Sequence, residues 1–193
     1  MFPNLSNFHI VINPDTGENG IFDLIDAMLT HPLKHLETLN FSGSYLGEQA
    51  TRKMSEIFKT KKFSNIKYLN MSRNGTGEFG TRFMMGALSS GKACDALEQL
   101  DLSRNGIGRG FRVIPKSIAS QSLNPHLKIL DLSNNDIQGS VVHDAQNDVN
   151  GSLPHNLVEL NLSCNPFGDK GSEQIVNTFC SAQTKLVELN LNR

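Results

Sequence analysis

Apolar residues return along the chain at a fixed spacing. Residues 97–107 read LEQLDLSRNGI, with apolar residues at the first, fourth, sixth and eleventh places and asparagine at the ninth. The alternation of leucine with polar residues predicts a short strand, and the Asn-Gly pair that follows predicts a tight turn. Below, the places of this string are numbered from its first leucine.

The string recurs with a period of 29 to 31 residues. Its copies begin at Leu36, Ile66, Leu97, Leu127, Leu157 and Leu186. A weaker copy consists of Leu5, Phe8, Ile10 and Asn13. Self-similarity at such a period indicates a solenoid, in which each repeat buries its core only against its neighbours.

The pattern L-x-x-L-x-L-x-x-N-x-L resembles the leucine-rich repeat family, and a period near 29 with a helical second half resembles its ribonuclease-inhibitor-like class. The resemblance implies an α/β leucine-rich repeat solenoid, curved, with parallel strands on the concave face and helices on the convex face. We expect one domain over residues 1–193, with a degenerate first repeat at 1–35, repeats from 36, 66, 97, 127 and 157, and a truncated repeat from 186. The bare last strand predicts either a longer natural protein or a second chain that covers this edge.

Two repeated polar positions are predicted to be structural. The asparagines at place nine lie where the chain turns off the strand, and their amides can satisfy the buried turn backbone. They are Asn74, Asn105, Asn135 and Asn165, with Ser44 in the same place of the repeat from 36. Glycines at place twelve are expected where the turn needs a permissive backbone.

Helical spacing between the strands predicts inward apolar stripes. They comprise Ala50, Met54, Ile57 and Phe58; Phe79, Phe83, Met84 and Leu88; and Phe111, Ile114 and Ile118. In the first repeat the helix is expected to end at His31 and Pro32. Residues 138–151 are rich in turn formers, so a short or broken helix and a loop are predicted there. Cys180 follows an apolar helical pattern and is predicted to be a core residue.

Composition points away from several classes of protein. The net charge of −1 gives no attraction to nucleic acid or to a membrane surface, and no stretch reaches the roughly 18 apolar residues of a spanning helix. The residues after Met1 lack the regions of a signal peptide. The three scattered cysteines, Cys94, Cys164 and Cys180, fit a reducing compartment. We therefore expect a cytoplasmic protein with no nucleic-acid partner and no membrane insertion.

No motif indicates catalysis or a cofactor. Residues 75–80 read GTGEFG, a literal G-x-G-x-x-G between a strand and a helix, but dinucleotide-binding strands are buried on both faces and these strands alternate. Residues 148–151 hint at a calcium loop but lack its length and closing glutamate. The six histidines are scattered. We expect no enzyme, metal, cofactor or small-molecule substrate.

The polar residues between the leucines are the candidate site, because they point away from the core onto a sheet face without helices. From places three, five and eight we select Tyr68, Arg73, Gln99, Asp101, Arg104, Ile129, Asp131 and Glu159 as partner-binding residues. Tyrosine and arginine are enriched at binding hot spots. A merely solvated ladder of polar residues would look the same. If the helix faces are more apolar than the strands, the docking face is wrong.

The sequence thus predicts a non-enzymatic scaffold that binds a partner protein through the concave strand face. One alternative is a regulator of a small GTPase, a role of some proteins with similar repeats; another is a structural arc of a larger protein whose activity lies beyond residue 193. Abundant Asn, Ser and Lys without Trp is typical of an A/T-rich genome. The resemblance then suggests a bacterial effector exported into host cytoplasm.

Overall fold

The strands lie side by side in the order of the sequence. The computed structural model describes residues 4–11, 17–30, 33–60, 63–90, 94–119, 126–149, 156–180 and 184–192. In this part of the chain one parallel sheet contains seven strands of three residues each: β1 Asn7–His9, β2 Thr38–Asn40, β3 Tyr68–Asn70, β4 Gln99–Asp101, β5 Ile129–Asp131, β6 Glu159–Asn161 and β7 Glu188–Asn190. Strands β2 to β7 each begin two residues after the predicted start of a repeat.

A helix connects each strand to the next, as parallel pairing requires. The helices are α1 Gly17–Thr30, α2 Gly47–Phe58, α3 Gly77–Leu88, α4 Val113–Ala119, α5 Gly139–Val149 and α6 Gly168–Phe179, with a 3₁₀ helix at Gly108–Arg112 directly before α4. The structure has α1 end at Thr30, and residues 31–32, where its end was predicted, lie outside the described residues. Asn13 of the weak first copy also lies outside them. The alternation of strand and helix confirms the predicted α/β solenoid.

The strands pair in register, so equal places of successive repeats are neighbours. Tyr68 pairs with Gln99, Gln99 with Ile129, and Ile129 with Glu159. This register stacks each leucine place on its equivalent in the next repeat.

The leucine places form the core. In the five complete repeats from residue 36, places one, four and six are all at most 4% exposed: Leu36, Leu39 and Phe41; Ile66, Leu69 and Met71; Leu97, Leu100 and Leu102; Leu127, Leu130 and Leu132; Leu157, Leu160 and Leu162. In the repeat from 186, Leu186, Leu189 and Leu191 are only half-buried, because no described repeat packs on their far side.

The place-nine asparagines form a buried ladder, which confirms their predicted role. The side-chain oxygen of each accepts backbone N–H bonds from the repeat before it; Asn165 Oδ1, for example, accepts from Asn135 N at 2.9 Å and from Ile137 N at 3.2 Å. The side-chain nitrogen donates to backbone carbonyls of both repeats, from Asn165 to Leu132 O at 2.9 Å and to Leu162 O at 2.8 Å. We call Asn74, Asn105, Asn135 and Asn165 the asparagine ladder.

The place-twelve glycines also have the predicted role. Gly47, Gly77, Gly108 and Gly168 have φ between +47° and +65°, a region that L side chains rarely adopt. A helix begins directly at each of these four residues.

The predicted inward stripe of α3 is half wrong. Met84 and Leu88 are buried, but Phe79 is 56% and Phe83 39% exposed. The buried face of α3 begins instead with Gly80 and Thr81, where a Cβ on Gly80 would lie 3.3 Å from the Cβ of Thr51 in the preceding helix. A phenyl ring has no room at this close approach, so both rings point outward.

Two further predictions were wrong. Residues 139–149 form one continuous helix, because Val141, Val142 and Ala145 are buried against the stack while the turn formers occupy the exposed face. Residues 150–151 lie outside the described part of the chain. Cys180 is exposed: α6 ends at Phe179, and Cys180 has φ −108° and ψ 64°, which takes its side chain out of the helical stripe.

Candidate functional site

One face of the sheet carries two parallel rows of side chains from places three and five. The place-three row is Thr38, Tyr68, Gln99, Ile129, Glu159 and Glu188, and the place-five row is Asn40, Asn70, Asp101, Asp131, Asn161 and Asn190. In parallel pairing adjacent members of a row are about 4.8 Å apart. Each row therefore presents a closely spaced line of side chains on what we call the concave face.

Six of the eight predicted binding residues lie on these rows. Tyr68 is 44% exposed and Glu159 is exposed, whereas Gln99, Asp101, Ile129 and Asp131 are half-buried. Five of them, on β4, β5 and β6, line one shallow depression of about 240 Å³. Its lining is Gln99, Asp101, Ile129, Leu130, Asp131, Glu159, Leu160, Asn161, Glu188 and Asn190. Tyr68 lies outside this lining, one strand away on β3.

The place-five row has a second role that the sequence analysis missed. One side-chain oxygen of each member accepts the backbone N–H two residues later, as from Ser103 to Asp101 at 2.9 Å and from Ser133 to Asp131 at 2.8 Å. The same bond forms in the repeats where the residue is asparagine, from Ser163 to Asn161 at 3.1 Å. This Asx turn ends each strand, and its signal in the sequence is the recurrent Asn/Asp-x-Ser.

The turn uses one oxygen of each aspartate, and the two aspartates differ in the hydrogen bonds of the second oxygen. The second oxygen of Asp131 accepts the side-chain amide of Asn161 at 2.9 Å. The second oxygen of Asp101 has no hydrogen bond within the described ranges. Of the two carboxylates, that of Asp101 therefore has fewer hydrogen bonds within the described ranges.

The two predicted arginines lie at the edge of the concave face rather than on the strands. Arg73 and Arg104 occupy place eight, in the turn after β3 and β4, with φ of 56° and 57°. The turns are stacked, since the N–H of Arg73 donates to the carbonyl of Ser103 at 3.0 Å. Both side chains are exposed, and neither has an ion pair with another described residue.

At place two, next to the rows, opposite charges are paired between repeats. Lys67 Nζ lies 3.1 Å from Glu37 Oε2, and Lys128 Nζ lies 2.8 Å from Glu98 Oε2. The hydrogen bond from Lys128, followed by its positive charge, lowers the pKa of Glu98 below 4.5. The same bond and the charge of Glu98 raise the pKa of Lys128. These pairs join neighbouring repeats along the margin of the face.

The helical side carries a local aromatic patch on α3. The guanidinium carbon of Arg52 lies 5.1 Å from the ring centre of Phe83, and that of Arg82 lies 5.9 Å from the ring centre of Phe79. Arg82 is also paired with Glu78 at 2.7 Å. Among the described residues α3 exposes two aromatic rings, Phe79 and Phe83, and the concave face exposes one, Tyr68. By the apolar criterion stated for the sequence this favours the helical side, which makes the α3 patch a second candidate docking surface.

The described residues hold no ready chemical centre. No three of their His, Cys, Asp and Glu side chains come together as metal ligands would. Their three cysteines are not paired with one another as disulfides, and Cys94 is buried. None of the helices in this part of the chain combines the length and apolar character needed to cross a bilayer.

The repeat is also recognised by comparison with known families. A family model described as Leucine Rich repeat matches residues 123–140 and 154–175, which include β5, β6 and most of α6. A search of curated proteins gave no significant match. The match supports a leucine-rich repeat family, and with the open parallel sheet and its alternating helices it identifies the fold as an α/β leucine-rich repeat solenoid.

Proposed function

We propose that this leucine-rich repeat protein is a non-enzymatic interaction scaffold, and that a partner protein binds the concave face of its sheet. Leucine-rich repeats generally mediate contacts between proteins. The observation that carries the proposal is the depression on the concave face, which brings recognition side chains from β4 to β7 into one lining.

The construction of the concave face supports this choice. Its backbone is held by the sheet, by the Asx turns and by the asparagine ladder, so little conformational freedom remains to be lost on binding. The residues of its two rows stand in register and are polar or aromatic, apart from Ile129. A rigid platform with variable side chains can read a partner without changing its own fold.

The remaining parts of the proposal concern class, chemistry and place in the cell. The helical crossovers and the period of 29 to 31 residues support the ribonuclease-inhibitor-like class. We propose that the protein acts without a small-molecule substrate, cofactor or metal, binds no nucleic acid and does not insert into a membrane. We further propose a cytoplasmic location, which is host cytoplasm if the protein is an exported bacterial effector. The small-GTPase regulator and the structural arc stay alternatives, and no described contact favours either.

The test compares three baits in affinity capture followed by mass spectrometry, with bacterial and human cell lysates. The first bait is the native chain. The second carries Tyr68→Thr, Gln99→Thr and Ile129→Thr, which gives these three repeats the place-three residue that Thr38 already supplies on β2. Threonine suits a strand, and none of these changes alters charge. The third carries Phe79→Gln and Phe83→Gln on α3.

We expect a protein captured by the native chain and by the α3 variant to be lost from the place-three variant, with all baits melting at similar temperatures. Loss from the α3 variant alone would move the docking surface to the helical side and contradict the proposal. Capture of nothing by any bait would contradict it as well and favour the structural-arc alternative.

A further inference from the structure

The concave face is divided into an acidic zone and a basic edge. The depression is lined by four carboxylate side chains, Asp101, Asp131, Glu159 and Glu188, and by no basic side chain. Two guanidinium groups, of Arg73 and Arg104, lie beyond it at the ends of β3 and β4. The acidic zone lies on β4 to β7 and the basic edge follows β3 and β4, so the two zones are displaced along the order of the strands and meet at β4.

The carboxylates of the acidic zone are not neutralised within the part of the chain that is described. None of the four has an ion pair there, whereas the acids one place outside the rows do. Glu98 is paired with Lys128 at 2.8 Å, although it lies beside the same strand β4 as Asp101. The charges at the margin of the sheet are thus paired between repeats, and those on its face are left for another molecule.

The basic edge has the complementary property. Arg73 and Arg104 are held in adjacent stacked turns, because the N–H of Arg73 bonds to the carbonyl of Ser103 and that of Arg104 to Ser133 at 2.9 Å. The positive charges of these two arginines, in neighbouring turns, repel each other. A single carboxylate bound between them would relieve this repulsion with charge-assisted hydrogen bonds.

Resting on the proposed concave docking, we propose that the partner presents one segment of mixed charge. Its lysine or arginine side chains lie over the depression on β4 to β7, and an aspartate or glutamate reaches Arg73 and Arg104. Adjacent strands are about 4.8 Å apart, so the basic and acidic groups of the segment are separated by roughly 10–15 Å. In an extended chain this distance is about three to five residues.

Two variants test the proposal. Each removes the charge of one zone and keeps the backbone turns of that zone. The acidic zone is neutralised by Asp101→Asn, Asp131→Asn, Glu159→Gln and Glu188→Gln. Asparagine already forms the same Asx turn at Asn161, so the backbone bond is kept. The basic edge is neutralised by Arg73→Asn and Arg104→Asn, since Asn134 occupies the same place with φ 55°.

The probe is a displayed library of random dodecapeptides, selected separately on the native protein and on the two variants. On the native protein we expect enriched peptides with at least two Lys or Arg residues and an Asp or Glu three to five residues away. The acid-neutral variant should lose the basic preference and the Arg73/Arg104 variant the acidic one. By fluorescence anisotropy each enriched peptide should bind at least tenfold more weakly to either variant.

Failure of this inference differs from failure of the concave docking itself. If a captured partner is lost from the place-three variant but retained by both charge variants, the scaffold proposal stands and the mixed-charge segment is wrong. Enriched peptides without charge preference, or no enrichment, would overturn it too. So would dimers of the native protein that dissociate in the acid-neutral variant, because the occupant would then be a second copy of the chain.

Discussion

The backbone N–H of Asn105 donates to the side-chain oxygen of Asn135 at 2.7 Å, across the boundary between two repeats. Asn135 in turn donates from its side chain to the carbonyl of Leu102 at 2.9 Å. The side-chain amide of Asn135 therefore bonds both an N–H and a carbonyl in the turn of the preceding repeat. Asn135 is 0% exposed, so water does not reach these bonds.

Replacing Asn135 with alanine should lower the free energy of unfolding by about 3 kcal/mol. The change leaves the N–H of Asn105 buried without its acceptor, and an unsatisfied buried donor costs roughly 1–3 kcal/mol. It also takes one of two side-chain donors from the carbonyl of Leu102, which keeps the bond from Asn105 Nδ2 at 2.9 Å. Urea denaturation followed by circular dichroism measures the difference. The matched control is Asn177→Ala on the exposed side of α6, where a change within about 0.5 kcal/mol is expected. Equal effects of the two changes would contradict the ladder.

The strands and the ladder could be predicted from the sequence because both depend on a local pattern that repeats. Leucine at places four and six can be buried only if the strand alternates, and the asparagine at place nine follows at a constant distance. The Asx turns were missed although their sequence signal is just as local. Asp101 and Asp131 were interpreted as binding residues only, although the serine two residues later signals the turn.

The errors concern contacts between repeats, which a single repeat does not contain. The inward face of α3 is determined by Gly80, because the neighbouring Thr51 leaves no space for a larger residue. The continuity of α5 depends on helices on both sides, including the pairing of Arg112 with Asp148 at 2.9 Å. The separation of acidic and basic side chains on the concave face was likewise not predicted, because it depends on which residues of different repeats lie side by side in the sheet.

The approach of α5 and α6 gives a second prediction. A Cβ on Gly171 would lie 2.7 Å from the Cβ of Phe167 and 3.0 Å from the Cα of Gly139. Because backbone on one side cannot give way cheaply, Gly171→Ala should destabilise the protein by about 2 kcal/mol, as overpacking commonly does.

Gly86 is the matched control, since it lies inside α3 and a Cβ there meets no atom within 4 Å. Gly86→Ala should stabilise the protein by roughly 0.5–1 kcal/mol, because alanine loses less freedom in a helix. Melting curves of the two variants should therefore move in opposite directions. A Gly171→Ala variant as stable as Gly86→Ala would contradict the close contact of α5 and α6.

The pair of Glu98 and Lys128 predicts a pH dependence with a definite sign. The hydrogen bond and charge of Lys128 lower the pKa of Glu98 in the folded protein below 4.5. The ionised pair therefore favours folding above pH 4.5, and this contribution disappears as the pH falls through the lowered pKa. Lys128→Gln should raise the pKa of Glu98 towards 4.5 in an NMR titration of its side-chain carboxyl.

Lys116→Gln on α4 serves as the control for that titration, because Lys116 is not among the groups that shift Glu98. It should leave the pKa of Glu98 where it is in the native protein. If Lys128→Gln also leaves it there, the ion pair does not form in solution, and the pairing of charges at the margin of the sheet would lose one of its two examples.

The cysteines predict a selective chemical modification. Burial, and then the charge of Asp95, raise the pKa of the Cys94 thiol to about 12, so at pH 8 almost none of it is thiolate, the reactive form. Cys164 and Cys180 are exposed. Iodoacetamide should label these two in the native protein and Cys94 only after denaturation, as followed by peptide mass spectrometry.

The rate of Cys94 labelling also reports how the solenoid opens. In a Cys164→Ser, Cys180→Ser variant every label must come from Cys94, which lies just before β4 in the middle of the sheet. If opening is cooperative, the labelling rate should rise as the global stability falls, and Asn135→Ala should speed labelling about tenfold for each 1.4 kcal/mol of stability lost. Labelling that is fast and insensitive to Asn135→Ala would mean that the chain near β4 opens locally, and a concave face so mobile could not act as a preorganised docking platform.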